Sequence, residues 1–162
     1  MYLAAVLLLT VLLPVVSIYA QISTVTSPQS LALLVGTWLV FWSAGVRLFV
    51  DGSLQFFRPK FTSEEIIGIP GEDAFPVLQE LGVLNMAIGL VAMVSLVVPQ
   101  FRFPVALIAA VSYGVAGARH ATDSERTGNA TAAMVSDIFV SAVLSIYVIY
   151  FGFGMLLGLP QT

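Results

Sequence analysis

The chain contains no cysteine and a single histidine in 162 residues. Without cysteine there is no disulfide, no thiolate nucleophile, no iron–sulfur cluster and no zinc–thiolate site. Compartment therefore cannot be read from redox chemistry. One histidine cannot supply bis-histidine haem ligation, nor the usual ligand sets for zinc or copper. Charge is equally scarce. Six Lys and Arg and nine Asp and Glu make up 9% of the chain and leave a net charge of -3. Six basic residues spread along the chain do not make the basic stripe that binding to nucleic acid requires. Walker A and dinucleotide-binding patterns are missing, and Gly152-Phe153-Gly154 lies in an apolar tail that follows no strand. A serine hydrolase would need a base and a nucleophile elbow, and neither is found. Polar stripes occur on only a few segments, so a pore would need an oligomer.

What the chain has in abundance is apolar length. Hydrophobic residues make up 59% and mean hydropathy is +1.00, far outside the soluble globular range. A helix needs about 20 residues to cross a hydrocarbon core of roughly 30 Å. Five runs approach or exceed that length, at about 2–20, 31–50, 77–98, 103–118 and 131–159. The expected fold is all-α, a single transmembrane bundle over 1–162. Pro14 is tolerable as a kink in the first span. Met1 to Leu9 carries no Lys or Arg, unlike the basic start of a secretory signal, so the first span is expected to stay as an anchor.

Arg47, Arg58, Lys60, Arg119 and Arg126 fall on or near one side of such a bundle, and only Arg102 falls on the other. The positive-inside rule then puts the N-terminus in the cytoplasm and Pro160-Gln161-Thr162 outside, in a multi-pass protein of the plasma (inner) membrane. The 51–76 connection mixes Phe56, Phe57, Phe61, Ile66 and Ile67 with Arg58, Lys60, Glu64 and Glu65, as suits a segment in the headgroup layer. Thr62-Ser63-Glu64-Glu65 has capping-box spacing, which predicts a short helix starting there and ending near Gly68. Such an element either packs under the bundle or serves as a lid or docking surface.

Charges within the spans need compensation, because a charge at mid-membrane costs roughly 2.5–3.5 kcal/mol on insertion scales. Arg47, Glu80, Asn85, Arg119, His120 and Asp137 all fall within roughly 15 Å of one interface at 1.5 Å per helical residue. The simplest pairing joins Arg47 to Glu80 or Asp137, with Asn85 and His120 completing the hydrogen bonds. This network either fixes helix register or forms a pocket that handles a proton or holds a quinone ring or lipid headgroup. No catalytic residue and no metal ligand is assigned.

Small and polar residues at helical spacing indicate which faces meet. Gly82, Asn85 and Gly89 form a groove on the third span. Ala110, Gly114 and Ala118 give a small-residue face on the fourth, and Asp137, Ser141 and Ser145 a polar stripe on the fifth. Trp38 and Trp42 share a face of the second span, where they are core or, with Tyr113, part of a pocket wall.

The segment Trp38-Leu39-Val40-Phe41-Trp42-Ser43-Ala44-Gly45-Val46-Arg47-Leu48-Phe49, then Gln55, Pro59, Thr62, Ile66, Glu80-Leu81-Gly82-Val83-Leu84-Asn85, His120, Asn129 and Val135-Ser136-Asp137, resembles an uncharacterised family of small bacterial membrane proteins. That resemblance covers most of the chain and implies a shared five-span organisation without an assigned activity. The Glu-Leu-Gly segment is also loosely similar to DoxX-type membrane proteins, some of which are subunits of quinone-linked oxidoreductases. The expected function is that of a non-catalytic membrane protein, an accessory or subunit of a membrane complex. The alternatives are a quinone- or lipid-binding module linked to an oxidoreductase and a small transporter. No cofactor is predicted, with a quinone or a bound lipid as the alternative. The expected partners are the lipid bilayer and a membrane protein or further copies of the chain, not nucleic acid.

Overall fold

The computed structural model describes residues 2–69, 71–123 and 127–156. Five helices are long and apolar enough to cross a membrane: α1 (Tyr2–Thr24), α2 (Pro28–Phe57), α4 (Phe75–Val94), α5 (Pro99–Thr122) and α6 (Gly128–Gly152). A short helical segment, α3, spans 59–67. No strand occurs among the described residues. Arg126, the last residues of the expected fifth span and the Pro160–Thr162 tail lie outside the described residues.

Wide π turns occur in α1, α2 and α3, and one of them has a clear local cause. In α1 the π turn Leu8–Leu12 immediately precedes Pro14, which has no N–H to donate. In that register Leu13 N–H reaches back to Leu8 O. The next bond, to Leu9 O, would fall to Pro14. Ser43 Oγ on α2 faces Leu9 O at 3.5 Å in its place. A hydroxyl from a neighbouring helix thus meets the carbonyl freed by proline, as membrane helices require.

α2 starts at a capping box in which Ser27 accepts from Ser30 N, and it runs unbroken to Phe57. It therefore continues two turns beyond Val50, where the hydropathy run ends. α3 does not start at Thr62. It starts at Pro59, which takes the first helical position, and Thr62 lies in its interior without capping a terminus. Its end is where the sequence places it. Gly68 adopts φ 77°, Ile69 N–H donates to Ser63 O at 2.9 Å, and the Ser63 hydroxyl donates to Ile69 O. Thr127 ties this segment to α6: its hydroxyl donates to Glu65 O at 2.6 Å and accepts from Ala130 N.

The helices approach through small residues. An added Cβ on Gly82 would lie 2.7 Å from Gly52 O, and one on Gly89 would lie 2.7 Å from Gly45 O, so α2 and α4 cross backbone to backbone in antiparallel fashion. The predicted Gly82–Gly89 groove is thus the seat of α2. α5 and α6 meet where Ser141 Oγ donates to Ala110 O at 2.7 Å and Gly114 abuts Ser141. Gly117, not Ala118, completes that face; Ala118 is exposed. The centre of the bundle is filled by Leu39, Val40 and Ala44 of α2, Ala106 and Ala109 of α5, and Val140 and Leu144 of α6.

Candidate functional site

Arg47 is 2% exposed and is the centre of the only charged cluster inside the bundle among the described residues. Its Nη2 donates to Asp137 Oδ1 at 2.5 Å. Its Nε faces Asp51 Oδ2 at 3.4 Å, an ion-pair distance at which the geometry does not form a hydrogen bond. The guanidinium carbon lies 4.7 Å from the ring centroid of Tyr113, close enough for a cation–π contact. Tyr113 is fixed in turn, because its hydroxyl donates to Ser43 O at 2.8 Å. Nη1 of Arg47 is buried and has no acceptor.

The pairing follows from helix geometry. Arg47, Asp51 and Gln55 recur at intervals of four along α2 and share one face of it. Asp137 comes from α6, whose close contact with α5 at Gly117 brings the Asp137 Cβ to that crossing. The third span contributes an amide rather than a charge: Asn85 Nδ2 donates to Gln55 Oε1 at 2.8 Å.

These groups border a cavity of about 340 Å³. Of the residues selected from sequence, Arg47, Asn85, Arg119, His120, Asp137 and Tyr113 all line it. Three others do not. Glu80 is exposed and pairs with neither Arg47 nor the cavity. It stands two residues from Gly82, about 200° around the helix, so seating Gly82 against α2 turns Glu80 outward. Trp38 and Trp42 face α1 instead of the cavity. Trp42 Nε1 donates to Ser17 Oγ at 2.9 Å and Trp38 Nε1 to Gln21 Oε1 at 3.3 Å.

Asp51, Gln55 and Tyr2 line the cavity and escaped the sequence reading. The i, i+4, i+8 spacing could have found the first two had α2 been carried past Val50. Tyr2 gives no such signal, since it opens an apolar span. α3 closes one end of the cavity with Phe61, Thr62, Ile66 and Ile67, and Phe61 packs against Tyr2 with ring centroids 6.2 Å apart. The 59–67 segment therefore packs under the bundle and is at the same time a wall of the site.

The arrangement offers a guanidinium with two unbonded donor nitrogens, two carboxylates, an amide pair and two phenols beside aliphatic surface, which suits an oxygen acceptor carried on an apolar body. No curated protein and no solved structure matches the chain. A sequence model for a family of unknown function, DUF6790, matches residues 1–156, and the chain belongs to that family.

Proposed function

We propose that this multi-pass membrane protein is a non-catalytic module that binds the polar head of a membrane-dissolved amphiphile, a quinone ring or a lipid headgroup, in the cavity beside Arg47. One observation carries the reading. A guanidinium buried to 2% exposure, already flanked by two carboxylates, lines a cavity of about 340 Å³ and keeps Nε and Nη1 without acceptors. A network that only fixed helix register would gain by satisfying every member, because a half-satisfied buried network is costly. An oxygen acceptor on a ligand supplies the missing bond. The mixture of Tyr2, Tyr113 and aliphatic side chains around it suits a head with an apolar body attached.

The clustering of Arg47, Arg58, Lys60 and Arg119 near one end of the bundle, against Arg102 near the other, supports an N-terminus in the cytoplasm and residence in the inner (plasma) membrane. A module of this kind would serve a larger membrane complex as an accessory subunit.

The test is native mass spectrometry of the protein extracted with its own lipids, with Arg47→Lys as the comparison. Lysine keeps the positive charge beside Asp51 and Asp137 but lacks the planar fork that leaves a nitrogen over for ligand. The expected result is a stoichiometric small molecule on the native chain and its loss from the variant. Ultraviolet absorbance identifies a quinone, and phosphorus content identifies a phospholipid. A native chain carrying only the bulk lipid mixture overturns the proposal.

A further inference from the structure

Beside the polar cavity lies a second space, an apolar groove of about 420 Å³ between the first turns of α1 and α6. The two adjoin residue by residue. Tyr2, Ala133 and Asp137 line the polar cavity, while their chain neighbours Leu3, Ala132 and Ser136 line the groove. Consecutive helical residues project about 100° apart, so the α1–α6 seam is a wall common to both spaces.

The groove is not finished by the chain itself. A Cβ added at Gly128 would meet nothing within 4 Å, so small residues there leave open space and do not seat a neighbouring helix. Thr10, 3% exposed, also lines the groove, and its hydroxyl has no hydrogen-bond partner. A helical threonine hydroxyl ordinarily returns to a carbonyl three or four residues back. At the rim, Leu3 is 52% and Val135 58% exposed, which faces the groove toward lipid.

We infer that this groove seats one hydrocarbon chain of the amphiphile whose head lies at Arg47, so that the ligand reaches the cavity sideways from the bilayer between α1 and α6. The inference rests on the head-binding reading above. Leu3, Val6, Leu7, Val11, Val135 and Phe139 line the groove with hydrocarbon and its rim faces lipid, which suits a chain. Adjacency to the polar cavity makes the chain part of the same ligand.

The experiment reconstitutes the full chain with two probes in turn, a phosphatidylglycerol and a quinone, each with a diazirine in its tail, and maps adducts by mass spectrometry after illumination. Adducts are expected to be enriched severalfold on Leu7, Val11 and Val135 over the similarly exposed Val91 and Val94 of α4. The probe that gives the enrichment identifies the head. Ala132→Trp, which fills the groove, should lose the enrichment, and Arg47→Lys should lower it by releasing the head. Even labelling of all lipid-facing residues in the native chain overturns the groove assignment. If a ligand still co-purifies and is lost from Arg47→Lys, the head site stands without it. Groove labelling unchanged in Arg47→Lys overturns the link between groove and cavity.

Discussion

Gly52 and Gly82 face one another so closely that a Cβ on Gly52 would lie 2.5 Å from Gly82 O, and one on Gly82 would lie 2.7 Å from Gly52 O. This contact sets the depth at which α4 sits against α2, and it holds Asn85, three residues on, within 2.8 Å of Gln55. Neither backbone can retreat without opening the cavity wall. Gly82→Ala is therefore expected to destabilise the protein by about 1–3 kcal/mol, as overpacking does. A melting curve in detergent checks it, with Gly128→Ala as the control because that position faces open space. Equal melting temperatures for the two variants would remove the close crossing.

Arg47 has two carboxylate partners, and this makes its variants unequal. Removing Arg47 leaves Asp51 and Asp137 facing one another without a cation. Removing Asp137 leaves Asp51 at 3.4 Å to hold the guanidinium. Breaking a buried pair from one side typically costs about 3–5 kcal/mol. Arg47→Gln should reach that range, whereas Asp137→Asn should fall below it. The double variant Arg47→Gln/Asp137→Asn should recover part of the loss, since only Asp51 stays charged, and its side chain is 24% exposed. Denaturant unfolding of the three variants in mixed micelles orders them. A double variant worse than Arg47→Gln alone would falsify the pairing.

Which parts were legible from sequence follows from what each signal measures. Hydropathy reports where a helix is greasy, and among the described residues it located the five helices that are long and apolar enough to cross a membrane. It does not report where a helix stops. Asp51 and Gly52 end the apolar run in α2 but not the helix, so the run alone leaves Asp51 and Gln55 in a connection although both line the cavity. The cost of burying charge points to Arg47 and Asp137, which are buried and paired. It could not tell them from Glu80, because depth along a helix says nothing about the direction faced. Small-residue spacing carried that information: Gly82 and Gly89 fix the α2-facing side of α4, and Glu80 lies almost opposite. The two tryptophans misled for a related reason. Trp38 and Trp42 stand nine and five residues before Arg47, about 180° and 140° around a regular helix, so the face they share is not the face of the arginine.

Glu80 supplies a negative control for the site. It is exposed, so Glu80→Gln should leave both the melting temperature and any bound molecule unchanged. The same exchange at Asp137 should alter both. Parallel mass spectrometry and melting of the two variants decide the matter, and ligand loss in Glu80→Gln would mean that the cavity extends to the outer face of α4.

Trp42 tests whether α1 is held to the bundle independently of the site. Its indole donates to Ser17 at 2.9 Å, and Trp38 makes the corresponding contact with Gln21, so two bonds from α2 fasten the C-terminal half of α1. Inside the hydrocarbon an unmade bond leaves a polar group without water to replace it, and a single bond of this kind contributes about 1 kcal/mol. Ser17→Ala keeps the Trp42 ring that packs edge-on against Phe41 at 4.9 Å and removes only the acceptor. The expected result is a protein destabilised by about that amount that still retains its bound molecule, because Tyr2 and the cavity lie at the other end of α1. Limited proteolysis of the α1–α2 connection should quicken in the variant. If ligand is lost along with the Ser17 bond, α1 moves as one body and its grip on α2 belongs to the binding site.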